Sequence, residues 1–238
     1  MTSTISHDAA GTILLIGASR GLGLAMATEF LKKGWNVVGT VRGGARTKLH
    51  DLADEHEGCV EIESLDITEP DQIAALHDRL SGRGFDILFV NAGTANYNED
   101  KIIADVSTEE FVRVMLTNAV SPMRVVERLQ DLVSSNGMIG IMSSGQGSVS
   151  NNEKGGHEVY RASKAALNMN MRSYAARHAG EPRALVLMAP GWIRTALGGP
   201  NAPVSVEEAI PKVVDVLLAQ RGKPGLQYLD REGHAVFW

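Results

Sequence analysis

The feature that most constrains this chain is a repeated alternation of short apolar runs with helical segments, the first pair joined by glycines. Thr12-Ile13-Leu14-Leu15-Ile16 is almost continuously apolar and stops at Gly17. A run of that kind fits a strand covered on both faces of a parallel sheet. The next segment, about Leu22 to Lys33, has helical spacing and stops at Gly34. The cycle then repeats, predicting strands at 37–41, 59–65, 85–90, 138–142, 183–188 and 226–229. Helices are predicted at 47–56, 71–80, 108–134, 159–178 and 206–220. Alternating units imply right-handed crossovers and helices on both faces of the sheet. The expected fold is α/β: a single-domain, Rossmann-type doubly wound parallel sheet of about seven strands, spanning 1–238.

Composition sets the surroundings. At 238 residues, 44% hydrophobic and 21% charged, the chain has enough core for one large soluble domain. A net charge of −5 offers no basic footprint for nucleic acid. The single cysteine, Cys59, excludes an internal disulfide and a cysteine-cluster metal site. Met1 to Ala10 is polar, with no apolar signal region. No stretch reaches the ~20 apolar residues of a membrane span. A cytoplasmic location is therefore expected, with no membrane partner. The segment Ala196 to Ser205, rich in Gly, Pro and Asn, reads as a mobile substrate loop near 194–206, after the sixth strand.

Three motifs carry chemistry. The first is Gly17-Ala18-Ser19-Arg20-Gly21-Leu22-Gly23, between the first strand and the first helix. A pyrophosphate needs backbone N–H groups at a helix N-terminus with no Cβ in the way. Gly17 permits the turn, Gly21 lets phosphates approach, and Gly23 lets helix pack on strand. The second strand ends Thr40-Val41-Arg42 without a carboxylate. Arg20 and Arg42 therefore favour a ribose 2′-phosphate, and with it NADP(H).

The second and third motifs are Ser143-Ser144 and Tyr160-Arg161-Ala162-Ser163-Lys164. Tyr160 and Lys164, four apart at a helix start, share a face. Lowering a tyrosine pKa from ~10 to ~7 takes about 4 kcal/mol of preferential phenolate stabilisation. An ammonium beside an oxidised nicotinamide could supply it, so Lys164 is expected to depress the Tyr160 pKa. Tyr160 would be the general acid in reduction and the base in oxidation. Ser144 would hydrogen-bond the carbonyl and the developing alkoxide. A second Tyr-x-x-x-Lys, Tyr97 to Lys101, follows a loop and is read as an exposed tyrosine or a pocket wall.

This motif set resembles the short-chain dehydrogenase/reductase family, over essentially the whole chain. Asn91-Ala92-Gly93, Asn118, Asp66 and Pro190-Gly191 fit it as well. The segments 143–148, 160–168 and 229–238 are similar to the sniffer-like carbonyl reductases and C-factor-like proteins. The resemblance implies Ser144, Tyr160, Lys164 and Asn118 as catalytic residues, Lys164 also binding the nicotinamide ribose and Asn118 holding a relay water. It implies Asp66 and Ile67 at the adenine and Asn91, Ala92 and Gly93 along its ribose. Ile193 and Thr195 would contact the carboxamide and phosphate side, Pro190 and Gly191 would also bind the cofactor, and relatives commonly form homodimers or homotetramers.

Two departures, Ile16 for a threonine and Val90 for an asparagine, imply a missing brace on the glycine loop. Sixteen positions separate Ser144 from Tyr160, a long spacing whose insert, 151–158, could reshape the pocket mouth. His157 reads as a surface loop residue, and Trp192 as packing or substrate wall. The expected function is NADPH-dependent reduction of a small aldehyde or ketone to its alcohol. The alternative is an NADP-binding signalling or regulatory protein with little turnover. A sugar-nucleotide epimerase is disfavoured by the short stretch after Gly191.

Overall fold

The computed structural model describes residues 9–238; Met1–Asp8, most of the polar segment read above, lie outside the described residues. The strands are Thr12–Ile16 (β1), Asn36–Val41 (β2), Val60–Ser64 (β3), Phe85–Val90 (β4), Val133–Met142 (β5), Ala184–Ala189 (β6) and Gly225–Asp230 (β7). They form one sheet in the order β3-β2-β1-β4-β5-β6-β7. Every pairing is parallel.

Continuous apolarity follows from burial on both faces. Ile13 and Leu15 point to one side and meet Met26, Ala27 and Phe30 of helix α1 (Gly21–Lys32) and Val213, Val214 and Leu217 of α7 (Val206–Gln220). Leu49 and Leu52 of α2 (Lys48–Glu55) join that side. Leu14 and Ile16 point the other way. There they meet the buried residues of α3 (Pro70–Leu80), α5 (Ser121–Leu129) and α6 (Glu158–Arg177). Each fully buried Leu or Ile contributes about 1.5–3 kcal/mol, which a strand with one wet face would forgo on alternate residues.

The predicted helix over 108–134 is broken in the structure. Its first part is α4, Thr108–Met115, and a π turn, Leu116–Val120, leads into α5. Pro122 is the cause: it has no N–H to return to the Asn118 carbonyl four residues back. The chain answers with a wider turn, closed by the Ser121 N–H on the Leu116 carbonyl. Beyond a 3-10 turn at 130–132, strand β5 begins at Val133, five residues before the predicted start. The register shifts between the Val133 and Met138 pairings. Gly137 sits where a Cβ would come within 2.7 Å of the Asp86 carbonyl, so the shift needs a glycine.

From β1 the chain crosses to β2 on one side, and from β3 it returns to β4 on the other. The resulting crevice, at the C-terminal ends of β1 and β4, is where ligands bind in sheets of this kind.

Candidate active site

The glycine loop leaves β1 at the crevice and opens α1. Gly17 and Gly21 have φ of 86° and 57°, left-handed values that disfavour side chains. Nothing lies within 4 Å of a Cβ built on Gly21, so the backbone there faces open space. The loop is braced despite its departures in sequence. The Gly17 N–H donates to Thr40 Oγ1 at 2.8 Å, and Asn91 Nδ2 donates to the Gly17 carbonyl at 2.8 Å. The missing brace is thus supplied from β2 and from the end of β4. A helix N-terminus with an open, Cβ-free approach fits a dinucleotide pyrophosphate. Gly23 is the tightest point: a Cβ there would lie 2.0 Å from the Gly17 carbonyl oxygen and 2.7 Å from Asn91 Nδ2. Gly23→Ala should therefore lower stability by about 2–3 kcal/mol and weaken NADPH binding at least about tenfold. Urea unfolding and fluorescence titration would read both, and an unchanged affinity would contradict the proposed cradle.

The structure sorts the other nucleotide candidates. Arg20 and Arg42 are both exposed at the loop and at the end of β2. Arg42 lies 4.0 Å from Asp66, a loose and largely solvated pair. Burial disfavours the Asp66 carboxylate, but hydrogen bonds from the Thr68 hydroxyl and amide and the Arg42 charge outweigh it and lower its pKa. The side chain of Ile67 is packed in the core at 6% exposure. Leu22 packs partly buried against the core, and Ser19 is half-buried beside Arg20. The Asn91 amide is committed to the loop brace. Ala92 lies under Gly17, where a Gly17 Cβ would strike it at 2.9 Å.

Pro190 and Gly191 leave β6, and Arg231 reaches the Pro190 carbonyl at 3.2 Å. Ile193 is buried and bridges to Val204, while Thr195 Oγ1 accepts the Gly198 N–H at 2.9 Å. The segment read as the substrate loop carries internal hydrogen bonds. Arg194 Nη1 donates to the Ala202 and Pro203 carbonyls, and Trp192 Nε1 donates to the Gly198 carbonyl at 2.7 Å. Its glycines and prolines shape a turn that side chains then staple. Trp192, 57% exposed, is a staple on the loop rather than core packing.

The π turn holds Asn118, which is fully buried. Its Oδ1 accepts the Thr94 N–H at 2.8 Å, and its Nδ2 donates to the Thr94 carbonyl and to Ser163 Oγ at 2.7 and 3.0 Å. The amide is fully satisfied, so what Asn118 can offer a relay is its main chain. A Cβ on Gly93 would lie 3.4 Å from Asn118 Oδ1 and 3.6 Å from Lys164 Nζ. Gly93 therefore marks the point where β4, the π turn and α6 converge.

Ser144 follows β5 in extended conformation and accepts the Gln146 N–H on its hydroxyl at 3.2 Å. Ser143 faces away, donating to Asn168 Oδ1 at 2.6 Å, so the second serine is the one turned to the site. Tyr160 and Lys164 lie one turn apart on α6, with Nζ 5.8 Å from the tyrosine ring centroid. Burial pushes the Tyr160 pKa up to about 12; a hydrogen bond with Ser144 opposes this, and the Glu99 and Tyr228 charges add to it. Burial pushes Lys164 down to about 8, and its Nζ donates to the Met142 carbonyl at 2.9 Å. Its ammonium is desolvated and committed to β5, and Ser144 is the neighbour that favours the phenolate.

Tyr97, in the competing motif, is 87% exposed and lies against the Arg113 guanidinium at 4.6 Å. His157 has φ of 49° at the start of α6, and its Nδ1 contacts Glu99 Oε2 at 3.1 Å. It is a half-exposed loop residue, as read, with a carboxylate partner.

Several supporting residues escaped the sequence reading: Thr40, Thr94, Ser163, Asn168 and Tyr228. Asn168 had a signal, since Tyr160, Lys164 and Asn168 repeat every four positions along one helix face. Thr40 had a weaker one, a hydroxyl inside a fully buried strand. Thr94 and Tyr228 had none, because their partners are distant in sequence, while Ser163 pairs both with nearby Tyr160 and with distant Asn118. No helix among the described residues is long and apolar enough to cross a membrane. None of their His, Cys, Asp and Glu side chains group in threes as a metal site.

A parallel sheet in this order, with a glycine loop after β1 and Ser, Tyr, Lys and Asn converging beside it, defines a Rossmann-type oxidoreductase scaffold. A family described as enoyl-(acyl carrier protein) reductase matches residues 17–214. The chain belongs to the short-chain dehydrogenase/reductase family. A solved short-chain dehydrogenase/reductase from Burkholderia multivorans, with bound NADP, is 63% identical. The match covers 96% of this chain and 99% of that one, with a TM-score of 0.95. The carbonyl reductase Sniffer of D. melanogaster is 27% identical over 96% of this chain and 99% of its own, with a TM-score of 0.84. The C-signal protein of Myxococcus xanthus is 30% identical over 155 residues, 64% of this chain and 92% of that protein.

Proposed function

We propose that this protein is an NADPH-dependent carbonyl reductase, converting an aldehyde or ketone to the alcohol with Tyr160 as general acid. The observation that carries the reading is the convergence of Asn118, Ser144, Tyr160 and Lys164 beside a glycine loop whose neighbouring strand ends without a carboxylate. When bound, the reduced nicotinamide supplies the hydride that adds to the carbonyl carbon. The Ser144 hydroxyl donates a hydrogen bond to the carbonyl oxygen as negative charge develops on it. Tyr160 gives its phenolic proton to that oxygen, leaving a phenolate. A phenol pushed up to about 12 stays protonated across the neutral range, which suits an acid waiting for substrate. Lys164, with a pKa near 8, binds the ribose and is the nearby group able to exchange a proton close to neutrality.

Arg20 and Arg42 are proposed to flank the 2′-phosphate. NADPH should then bind at least tenfold more tightly than NADH, about 1.4 kcal/mol. Val41→Asp combined with Arg42→Ala should shift preference toward NADH. Equal affinities in the unaltered protein would remove the assignment.

The similarity to C-signal supports a second reading, an NADP-binding regulatory protein with little turnover. An NADPH-oxidation assay over a panel of aldehydes and ketones separates the two. Turnover of any member supports the reductase. Tight NADPH binding with no oxidation across the panel supports the regulator.

A further inference from the structure

The segment from β7 to Trp238 closes over the back of the Ser144 turn. Tyr228 lies on β7, paired with Leu187 of β6 and only 3% exposed. Its hydroxyl reaches past β6 and donates to the main-chain oxygen of Ser144 at 2.5 Å. Burial raises the Tyr228 pKa, against hydrogen bonds with the Asn168 and Ser143 side chains. Those two side chains grip the residues on either side of Ser144. Ser143 Oγ donates to Asn168 Oδ1 at 2.6 Å, and Asn168 Nδ2 donates to the Gly147 carbonyl at 3.2 Å.

Tyr228 is itself held. The Trp238 ring packs on it at 5.2 Å between centroids, with the Arg172 guanidinium 4.5 Å from the Trp238 ring. The Trp238 main-chain oxygen accepts from Ser150 N and Oγ at 3.1 and 2.6 Å. Ser150 belongs to the stretch that joins Ser144 to Tyr160, so the tail spans the connection between the two reactive hydroxyls.

We propose that Tyr228 is a positioning residue for Ser144: its hydroxyl fixes the main chain that carries the serine hydroxyl, and Trp238 holds the ring in place. The inference rests on the reading of Ser144 as the group that receives the substrate oxygen. A hydroxyl mounted on a loose turn loses the alignment that catalysis requires, and a shift of ~1 Å can cost on the order of 10²-fold in rate.

The test is a double-mutant cycle with Tyr228→Phe, Ser144→Ala and the double variant, which keeps the ring and its packing on Trp238. Aldehyde turnover is measured per NADPH-binding site, with NADPH affinity and Tm alongside. Tyr228→Phe should lower kcat about tenfold with NADPH affinity unchanged. In the Ser144→Ala background the same change should have almost no further effect. Equal losses in both backgrounds, or no loss in Tyr228→Phe alone, would overturn the proposal. Full turnover in Ser144→Ala would instead overturn the reading of Ser144, and is seen before the cycle is closed. A readout independent of turnover is the NMR resonance of Tyr160 labelled with carbon-13 at Cζ. Ser144→Ala and Tyr228→Phe should move it in one direction without adding in the double variant, and additive shifts would count against the coupling. Should Tyr228→Phe unfold, Trp238→Leu, which removes the ring packed on Tyr228, enters the same cycle, with additivity again the overturning result.

Discussion

Tyr160→Phe should lower carbonyl turnover by on the order of 10²-fold or more, the loss of a positioned general acid, and leave NADPH binding nearly intact. The substitution removes one oxygen from a ring whose packing on α6 is otherwise retained. The hydroxyl sits in a site where Ser144 favours its ionised form and burial opposes it. Tyr97→Phe is the matched control. That ring is 87% exposed and rests on Arg113, so its oxygen meets solvent and turnover should change little. Comparable losses in the two variants would leave the choice of Tyr160 over Tyr97 as the proton donor unsupported.

Lys164→Met should separate function from stability. Lys164 is 4% exposed, and its pKa falls from 10.5 in the open chain to about 8 when folded. Below pH 8 the folded protein therefore carries a buried charge that the unfolded chain holds in water, a penalty of roughly 3 kcal/mol at 1.36 kcal/mol per unit. Losing the hydrogen bond to the Met142 carbonyl costs about 1 kcal/mol. The variant should thus be about 2 kcal/mol more stable at pH 7 while its turnover falls by on the order of 10²-fold. Between pH 8 and 10.5 the unfolded chain binds more protons than the folded one, so wild-type stability rises with pH. The gap should close over that window. Urea unfolding at pH 7 and at pH 10 measures it. A variant less stable than wild type at pH 7, or a gap independent of pH, would mean that Lys164 is not buried as a strained cation.

The strand positions, the glycine loop and the Ser, Tyr and Lys motifs were legible because each is local. Period-2 burial on both faces writes itself as continuous apolar runs, and a helix start writes itself as glycines. The helix over 108–134 was misread because helical spacing continues through Pro122, whose effect depends on which carbonyl it leaves unmatched. That carbonyl is on Asn118, so the misread element is the one that presents a proposed catalytic residue.

Other features lay beyond sequence because they depend on residues far apart in the chain. The glycine loop is braced by Thr40 and Asn91, which reach Gly17 only once β2 and β4 flank β1. The ionisation of Tyr160 and Lys164 turned on burial rather than on their spacing. A four-residue separation fixes which face two side chains share, while desolvation is set by everything packed over that face. The sequence by itself determined the fold and the family and marked the candidate reactive groups, since these follow from local periodicity and motif. Tertiary structure alone decided how Asn118 is clamped and that the Tyr228 hydroxyl reaches the Ser144 main chain, because each rests on contacts made when distant strands and helices pack together.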